Sequence, residues 1–265
     1  MDVVSLGYRH VVTAADIRRF QNRGLRTRGR QLLRGLALDA ASVVGSDAAL
    51  LRPRVHVIYL HHVMPDEEQP FRRLIERLQR QHTFIPYSEA VARAASGDID
   101  RPYASVTFDD GVRSQLRAGQ ILREYGVSAC FFVCESMAEP RPDDYVREFC
   151  SRELGLPPVD FLTWRDMEEL LAAGHEIGNH GRTHTVLATL TPGSALDDEI
   201  GLSLESLRRR LGDIKHYAWA RGQWQHFSAA ALETIFRTGH VSCASAMRGC
   251  HIAGPKRDPR EICIR

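Results

Sequence analysis

An α/β fold built on a mostly parallel sheet is what this sequence predicts, and three observations predict it. Apolar runs of four to six residues recur from Val55 onward. Between them lie segments with helical periodicity, long enough for the crossover that parallel strands require. A chain of 265 residues with 43% apolar and 26% charged residues can bury the core of such a sheet, which excludes a disordered, collagen-like or low-complexity protein.

Taken in order, the first strand is Val55 to Leu60, followed by helices over 70–81 and 88–95. A strand over 103–108, a helix over 112–125 and a strand over 128–133 come next. A helix over 163–173 opens on Thr163 as its cap and stops at Gly174. Strand 175–178, helix 193–211, strand 215–219, helix 228–238 and strand 240–245 complete the series. Segment 135–160, with Pro140, Pro142, Pro157 and Pro158, breaks the rhythm and reads as an insertion. The alternation leaves two architectures open, a doubly wound sheet and a closed barrel. Both keep their chemistry at the carboxyl ends of the strands.

The first 54 residues read as a basic helical extension and residues 55–265 as the α/β domain. Residues 1–54 carry ten Arg against four Asp, a local charge of +6, so the remainder is −4 within a total of +2. Arg18, Arg19, Arg23, Arg26, Arg28, Arg30 and Arg34 alternate with Phe20, Leu25, Leu32 and Leu33, which allows amphipathic helices. These either pack on the domain or touch an anionic membrane face or polyanionic substrate. The near-zero total charge argues against a dedicated nucleic-acid binder. Residues 1–6 show neither a basic region nor a long apolar one, so no export signal is expected. Six cysteines without a C-x-x-C pair read as reduced, mostly buried thiols, and a cytoplasmic setting is the expectation.

Two strand ends carry the chemistry. Strand 103–108 runs into Asp109-Asp110-Gly111, where adjacent carboxylates repel unless a cation or shared proton relieves them. A simple polar turn is the competing reading. Strand 175–178 runs into Asn179-His180-Gly181-Arg182-Thr183-His184. On a helical turn the i, i+4 spacing puts both imidazoles on one face, where a single ion accepts a nitrogen from each; an exposed polar pair is the alternative. Together the two ends offer a carboxylate and two imidazoles, a set suited to a divalent metal with open positions for water.

Thr107-Phe108-Asp109-Asp110-Gly111 resembles the first motif of the polysaccharide deacetylases, carbohydrate esterase family 4 with its chitooligosaccharide deacetylase homology domain. Gly174-His175-Glu176-Ile177-Gly178-Asn179-His180, leading to His184, is similar to the second, and Leu60-His61-His62-Val63 to the end of the family's first strand. The resemblance spans about residues 55 to 265. It implies a distorted, incomplete (β/α) barrel. It further implies Asp109 as catalytic base and Asp110, His180 and His184 as ligands of one divalent ion, with Zn²⁺ the first expectation. The implied activity is metal-dependent hydrolysis of acetyl groups from an acetylated sugar or polysaccharide.

Two departures bear on that expectation. The third motif reads Tyr217-Ala218-Trp219-Ala220-Arg221-Gly222-Gln223-Trp224 and lacks the family's proline. Arg221 is there a candidate to orient Asp109, and Trp219 and Trp224 are candidates to stack on a sugar, with core packing expected of at least one. Glu261 to Arg265 hold no His where the family's last motif places its general acid, and Asp258-Pro259 is similar to the motif before it. His61 and His62 are therefore the candidate proton donors, with His251 a weaker one. Hydrolysis of another non-peptide C–N bond on the same scaffold, and a degenerate homologue that binds glycan or metal without turnover, are the alternatives.

Overall fold

The computed structural model describes residues 9–10, 12–21 and 52–261. The arginines from Arg23 to Arg34, Cys263 and the last four residues lie outside the described residues.

Seven parallel strands alternate with helices: α1 (Ala14–Gln21), β1 (Arg54–Leu60), α2 (Glu68–Gln79), β2 (Thr83–Phe84), α3 (Tyr87–Ser96), β3 (Pro102–Phe108), α4 (Ser114–Glu124), β4 (Ala129–Val133), α5 (Asp143–Phe149), α6 (Trp164–Ala172), β5 (Glu176–Asn179), α7 (Ser203–Leu211), β6 (His216–Ala218), α8 (Ala229–Arg237) and β7 (Ser242–Ala244). The order across the sheet is β1-β3-β4-β5-β6-β7, with β2 paired to the first half of β3. From β3 to β7 every crossover steps in the same direction, and only the two-residue β2, which shares the β4 side of β3, steps back. A doubly wound sheet reverses at a switch point, so that architecture is excluded and the sheet curls as a half-barrel. After β7 the chain returns to β1 and makes an antiparallel bridge, with Val55 and His251 exchanging hydrogen bonds of 2.8 and 3.0 Å. The barrel is thus distorted and incomplete, as the resemblance implied.

Three elements differ from expectation. Strand β2 is too short for any periodicity to reveal it. Within the segment read as an insertion, α5 starts behind Pro142, whose fixed φ suits a helix entry, and continues into a π-helical turn at Cys150–Leu154. The helix expected over 193–211 holds a π-helical stretch, Asp197–Leu202, immediately before α7.

Strand alternation divides the core. Val106, Phe108, Ala129, Phe131 and Ile177 point outward and pack with Ala118, Ile121, Leu122, Met167, Leu170 and Leu207 of the surrounding helices. The rings of Phe108 and Phe131 stack with centroids 5.0 Å apart. Cys130, Phe132, Ala218 and Ala244 point inward around Tyr87. Burial on both faces explains why these strands read as continuous apolar runs. Helix α1 shares a further core with the segment after β4: Ala14 and Ile17 pack with Met64, Val112, Met137, Val146 and Phe149. The Asp160 carboxylate accepts the backbone N–H groups of Arg9 and His10, and Asp66 accepts that of Ala14. The five described cysteines are free thiols, four of them buried. Among the described residues no helix is long and apolar enough to cross a membrane.

At the amino end of the strands, polar groups fill the barrel floor. Glu176 accepts the Ser88 N–H, Ser88 Oγ lies 2.8 Å from His216 Nε2, and His216 Nδ1 lies 2.8 Å from Ser242 Oγ. Burial pushes His216 down to about 4 and His240 down to about 3. Both values lie below the 6.5 of a free imidazole, so the unfolded chain binds more protons as pH falls. Stability is therefore complete above pH ~6.5 and lost as pH drops toward ~4 and ~3, by on the order of a few kcal/mol per group. Urea midpoints are expected to fall from pH ~7.5 to ~4.5. His216→Asn is expected to flatten that dependence while lowering the midpoint at pH ~7.5.

Candidate active site

The carboxyl ends of β1, β3, β5 and β6 open into a cleft of about 280 Å³. Tyr59, His61, Asp109, Asp110, His180, His184 and Arg221 all line it. Strand parity explains who enters. Side chains at alternate positions share a face, so Tyr59 and His61 continue one face of β1 into the cleft while His62 belongs to the other. His62 Nδ1 donates to Glu67 Oε2 at 3.0 Å instead, and Glu67 also accepts the Met64 N–H. His62 is thus not brought to the cleft. Nor is His251, which pairs with Val55 at the opposite end of the sheet.

Asp110 sits at the centre. Its Oδ1 lies 3.4 Å from His180 Nε2 and 3.3 Å from His184 Nε2, and all three residues are buried. Burial alone pushes the Asp110 carboxyl up, but the two imidazoles overcome it and hold the group well below the usual carboxylate range. His180 Nδ1–H donates to the Ala218 carbonyl at 2.8 Å, which leaves Nε2 with its lone pair toward Asp110. Four ligands in a tetrahedron about 2.1 Å from an ion lie about 3.4 Å apart, so these separations fit a Zn²⁺-sized divalent ion.

The route by which the two histidines converge differs from the sequence expectation. No helical turn spans them, because β5 ends at Asn179 and residues 180–184 form an irregular loop. Gly181 has φ 83° and His184 φ 60°, and these left-handed residues fold the loop back on itself. Asp110 and Arg221 are also left-handed, at φ 75° and 62°. Those three are the only non-glycine residues with positive φ among the described residues, and all three line the cleft. Such conformations cost on the order of 1–3 kcal/mol each and persist only where the surroundings enforce them.

Several enforcing groups were not singled out from sequence. The buried Gln115 amide donates to the His61 and Asp109 carbonyls, tying the ends of β1 and β3 together. Asn179 Oδ1 accepts the Gly181 N–H at 2.9 Å, and its amide nitrogen reaches Ser203 Oγ and His240 Nε2. Glu199, buried within the π-helical stretch, accepts the Thr183 N–H and hydroxyl at 2.9 and 2.7 Å. Burial pushes its carboxyl up despite those donors. Polar residues in a helix normally read as a solvated face, and only three-dimensional placement marks these as structural.

Arg221 extends to the Arg152 carbonyl at 3.2 Å and to Glu153 at 3.7 Å, so it links the loop after β6 to the π-helical turn behind α5. Trp219 is buried and stacks on Phe227 at 4.2 Å, a core role, whereas Trp224 is 57% exposed. Asp258 lies on an exposed turn, away from the residues of the cleft.

The sequence model described as "Polysaccharide deacetylase" matches residues 96–236. No curated sequence gives a significant match. Among solved structures, IcaB from Ammonifex degensii is similar with a TM-score of 0.63 at 19% identity, over 78% of this chain and 89% of that one. The de-N-acetylase from Aggregatibacter actinomycetemcomitans gives 0.61 at 18% identity, over 77% and 92%. The Streptococcus pyogenes deacetylase PplD, solved with acetate, gives 0.60 at 19% identity, over 75% and 86%. At these identities the likeness is one of fold.

A Cβ at Gly181 would stand 2.5 Å from Glu199 Oε1, on a backbone already at φ 83°. Gly181→Ala is therefore expected to lower stability by about 1–3 kcal/mol in urea unfolding. Gly126→Ala, also left-handed but with no neighbour within 4 Å of the added methyl, is expected to lose less.

Proposed function

Because the chain belongs to the polysaccharide deacetylase family, we propose that it is a metal-dependent hydrolase that removes acetyl groups from an acetylated sugar or glycan. The observation that carries this reading is the meeting of Asp110, His180 and His184 at 3.3–3.4 Å in one cleft with Asp109. A divalent ion such as Zn²⁺, held by those three residues, supplies a Lewis acid and brings the pKa of water toward about 7.

The remaining steps fall to the chain's own groups. Asp109 is the general base: buried at the end of β3 and fixed through its own carbonyl by Gln115, it takes the proton of the attacking water. His61, alone of the three candidate donors in lining the cleft, returns a proton to the leaving nitrogen or oxygen. Arg221 holds the far wall through Arg152 and Glu153. Its role is thus to shape the cleft. The products are acetate and a free amine, or an alcohol where the substrate is an ester.

Acetate release from acetylated oligosaccharides, after chelation and after Zn²⁺ reconstitution, tests the proposal. Asp109→Asn is expected to lose at least about 10²-fold in kcat while still binding metal. Asp110→Ala is expected to lose metal and activity together, and undiminished acetate release by Asp110→Ala would sink the reading. His61→Ala is expected to slow amide cleavage more than ester cleavage, because an amine leaves poorly without a proton. Zn²⁺ binding with no acetate from any ester or amide would favour a non-catalytic homologue.

A further inference from the structure

The His184 end of the site raises a physical problem. His180 follows β5 directly and Asp110 lies two residues past β3, whereas His184 lies five residues beyond β5, in an irregular loop and with a left-handed backbone. An imidazole so placed stays within 3.3 Å of Asp110 only if its loop is held from both sides.

Glu199 supplies both holds. One carboxylate oxygen accepts the Thr183 N–H at 2.9 Å and the Thr185 N–H at 3.4 Å, which are the residues immediately before and after His184. The other accepts the Thr183 hydroxyl at 2.7 Å, and that hydroxyl also meets Thr185 Oγ1 at 2.7 Å. The Glu199 carbonyl accepts the Arg182 N–H at 3.0 Å and the Ser203 hydroxyl at 2.8 Å. Glu199 is itself 5% exposed and sits in the π-helical stretch Asp197–Leu202, where the widened turn accompanies two outward acids, Asp197 and Asp198, and one inward. A buried carboxylate facing three donors of one loop, with no Lys or Arg side chain among them, is costly unless the loop it grips matters.

We infer that Glu199 is the positioning residue of the metal centre: it clamps Thr183 and Thr185 so that His184 is held in its left-handed conformation toward Asp110. This rests on the proposed metal site and adds to it a residue that touches neither metal nor substrate. The clamp works by accepting hydrogen bonds, so a side chain of the same shape that still accepts them replaces it. In Glu199→Gln the amide oxygen can keep the two N–H bonds while the Thr183 hydroxyl turns to accept from the amide nitrogen.

The test is Zn²⁺ affinity of chelator-stripped protein, by competition with a chromogenic chelator, alongside circular dichroism of the metal-free forms. Glu199→Ala is expected to weaken Zn²⁺ binding by about 10- to 100-fold, and Glu199→Gln by no more than about threefold. Thr183→Val, which removes the hydroxyl's bonds to Glu199 and Thr185 and leaves the two N–H bonds, is expected to cost about fivefold. A folded Glu199→Ala within threefold of the wild type overturns the inference, as does Glu199→Gln falling as far as Glu199→Ala. Should Glu199→Ala not fold, Thr183→Val decides, and unchanged affinity there overturns it. Asp110→Ala is the control: wild type binding no better than Asp110→Ala would remove the metal site itself, a result distinct from a wild type that binds with an indifferent Glu199→Ala.

Discussion

A carboxylate buried at 4% exposure, as Asp110 is, costs several kcal/mol unless neighbouring groups or a cation compensate its charge. Its charge organises the surrounding structure. Two imidazoles approach within 3.4 Å of one of its oxygens, and a buried glutamine anchors the carbonyl of the neighbouring Asp109. The same negative potential contributes to holding the nearby Cys134 thiol well above its ordinary value, after burial itself, so that cysteine stays an inert protonated side chain. A divalent ion held by Asp110, His180 and His184 would compensate that charge without any of them needing to be protonated.

Much of this was legible in the sequence, for reasons that differ from residue to residue. Parallel strands buried on both faces leave apolar runs, and all but β2 of the strands were found, because two residues carry no periodicity. The meeting of Asp110, His180 and His184 was legible from residue type at strand ends, but the geometry behind it was not. Residues 180–184 follow no helical turn, and their convergence depends on left-handed Gly181 and His184 and on the distant Glu199, none of which the i, i+4 spacing encodes. Which of His61 and His62 lines the cleft was open in the sequence, although parity along β1 already contained that answer: Tyr59 and His61 share a face, and His62 lies on the other. Helix α5 was hidden because the prolines around it obscure its apolar spacing.

Closure of the barrel bears on access to the site. Parallel strands run in sequence from β1 to β7 and no further parallel strand joins the two edges among the described residues. The chain after β7 instead crosses to the opening of β1 and bridges it antiparallel through His251. That bridge ties the edges together at the amino end, opposite the cleft. At the carboxyl end Ala246, just beyond β7, lines the cleft beside Gly222, whose added Cβ would stand 2.2 Å from the Ala246 side chain. The backbone thus approaches closely where a bulky residue would stand, and the wall on this side is formed by small groups. The opposite wall is built from Glu153 and Leu154 of the π-helical turn, tied over by Arg221.

That asymmetry explains the place of the amino-terminal segment. The π-helical turn follows α5, and α5 has no sheet of its own to pack on; its Val146 and Phe149 bury against Ala14 and Ile17 of α1 and against Met64 and Val112, which follow β1 and β3. Asp160 accepts the Arg9 and His10 N–H groups and its other oxygen lies 3.0 Å from His10 Nδ1, so the segment carrying α5 is fastened at its far end as well. Helix α1 therefore contributes to the cleft at one remove: it supports the element that presents Glu153 and Leu154, without reaching Asp110, His180 or His184 itself. Apolar contact on one side of α5 and a carboxylate clamp on the other give an irregular excursion enough fixed points to serve as a wall, which its own length of helix could not provide.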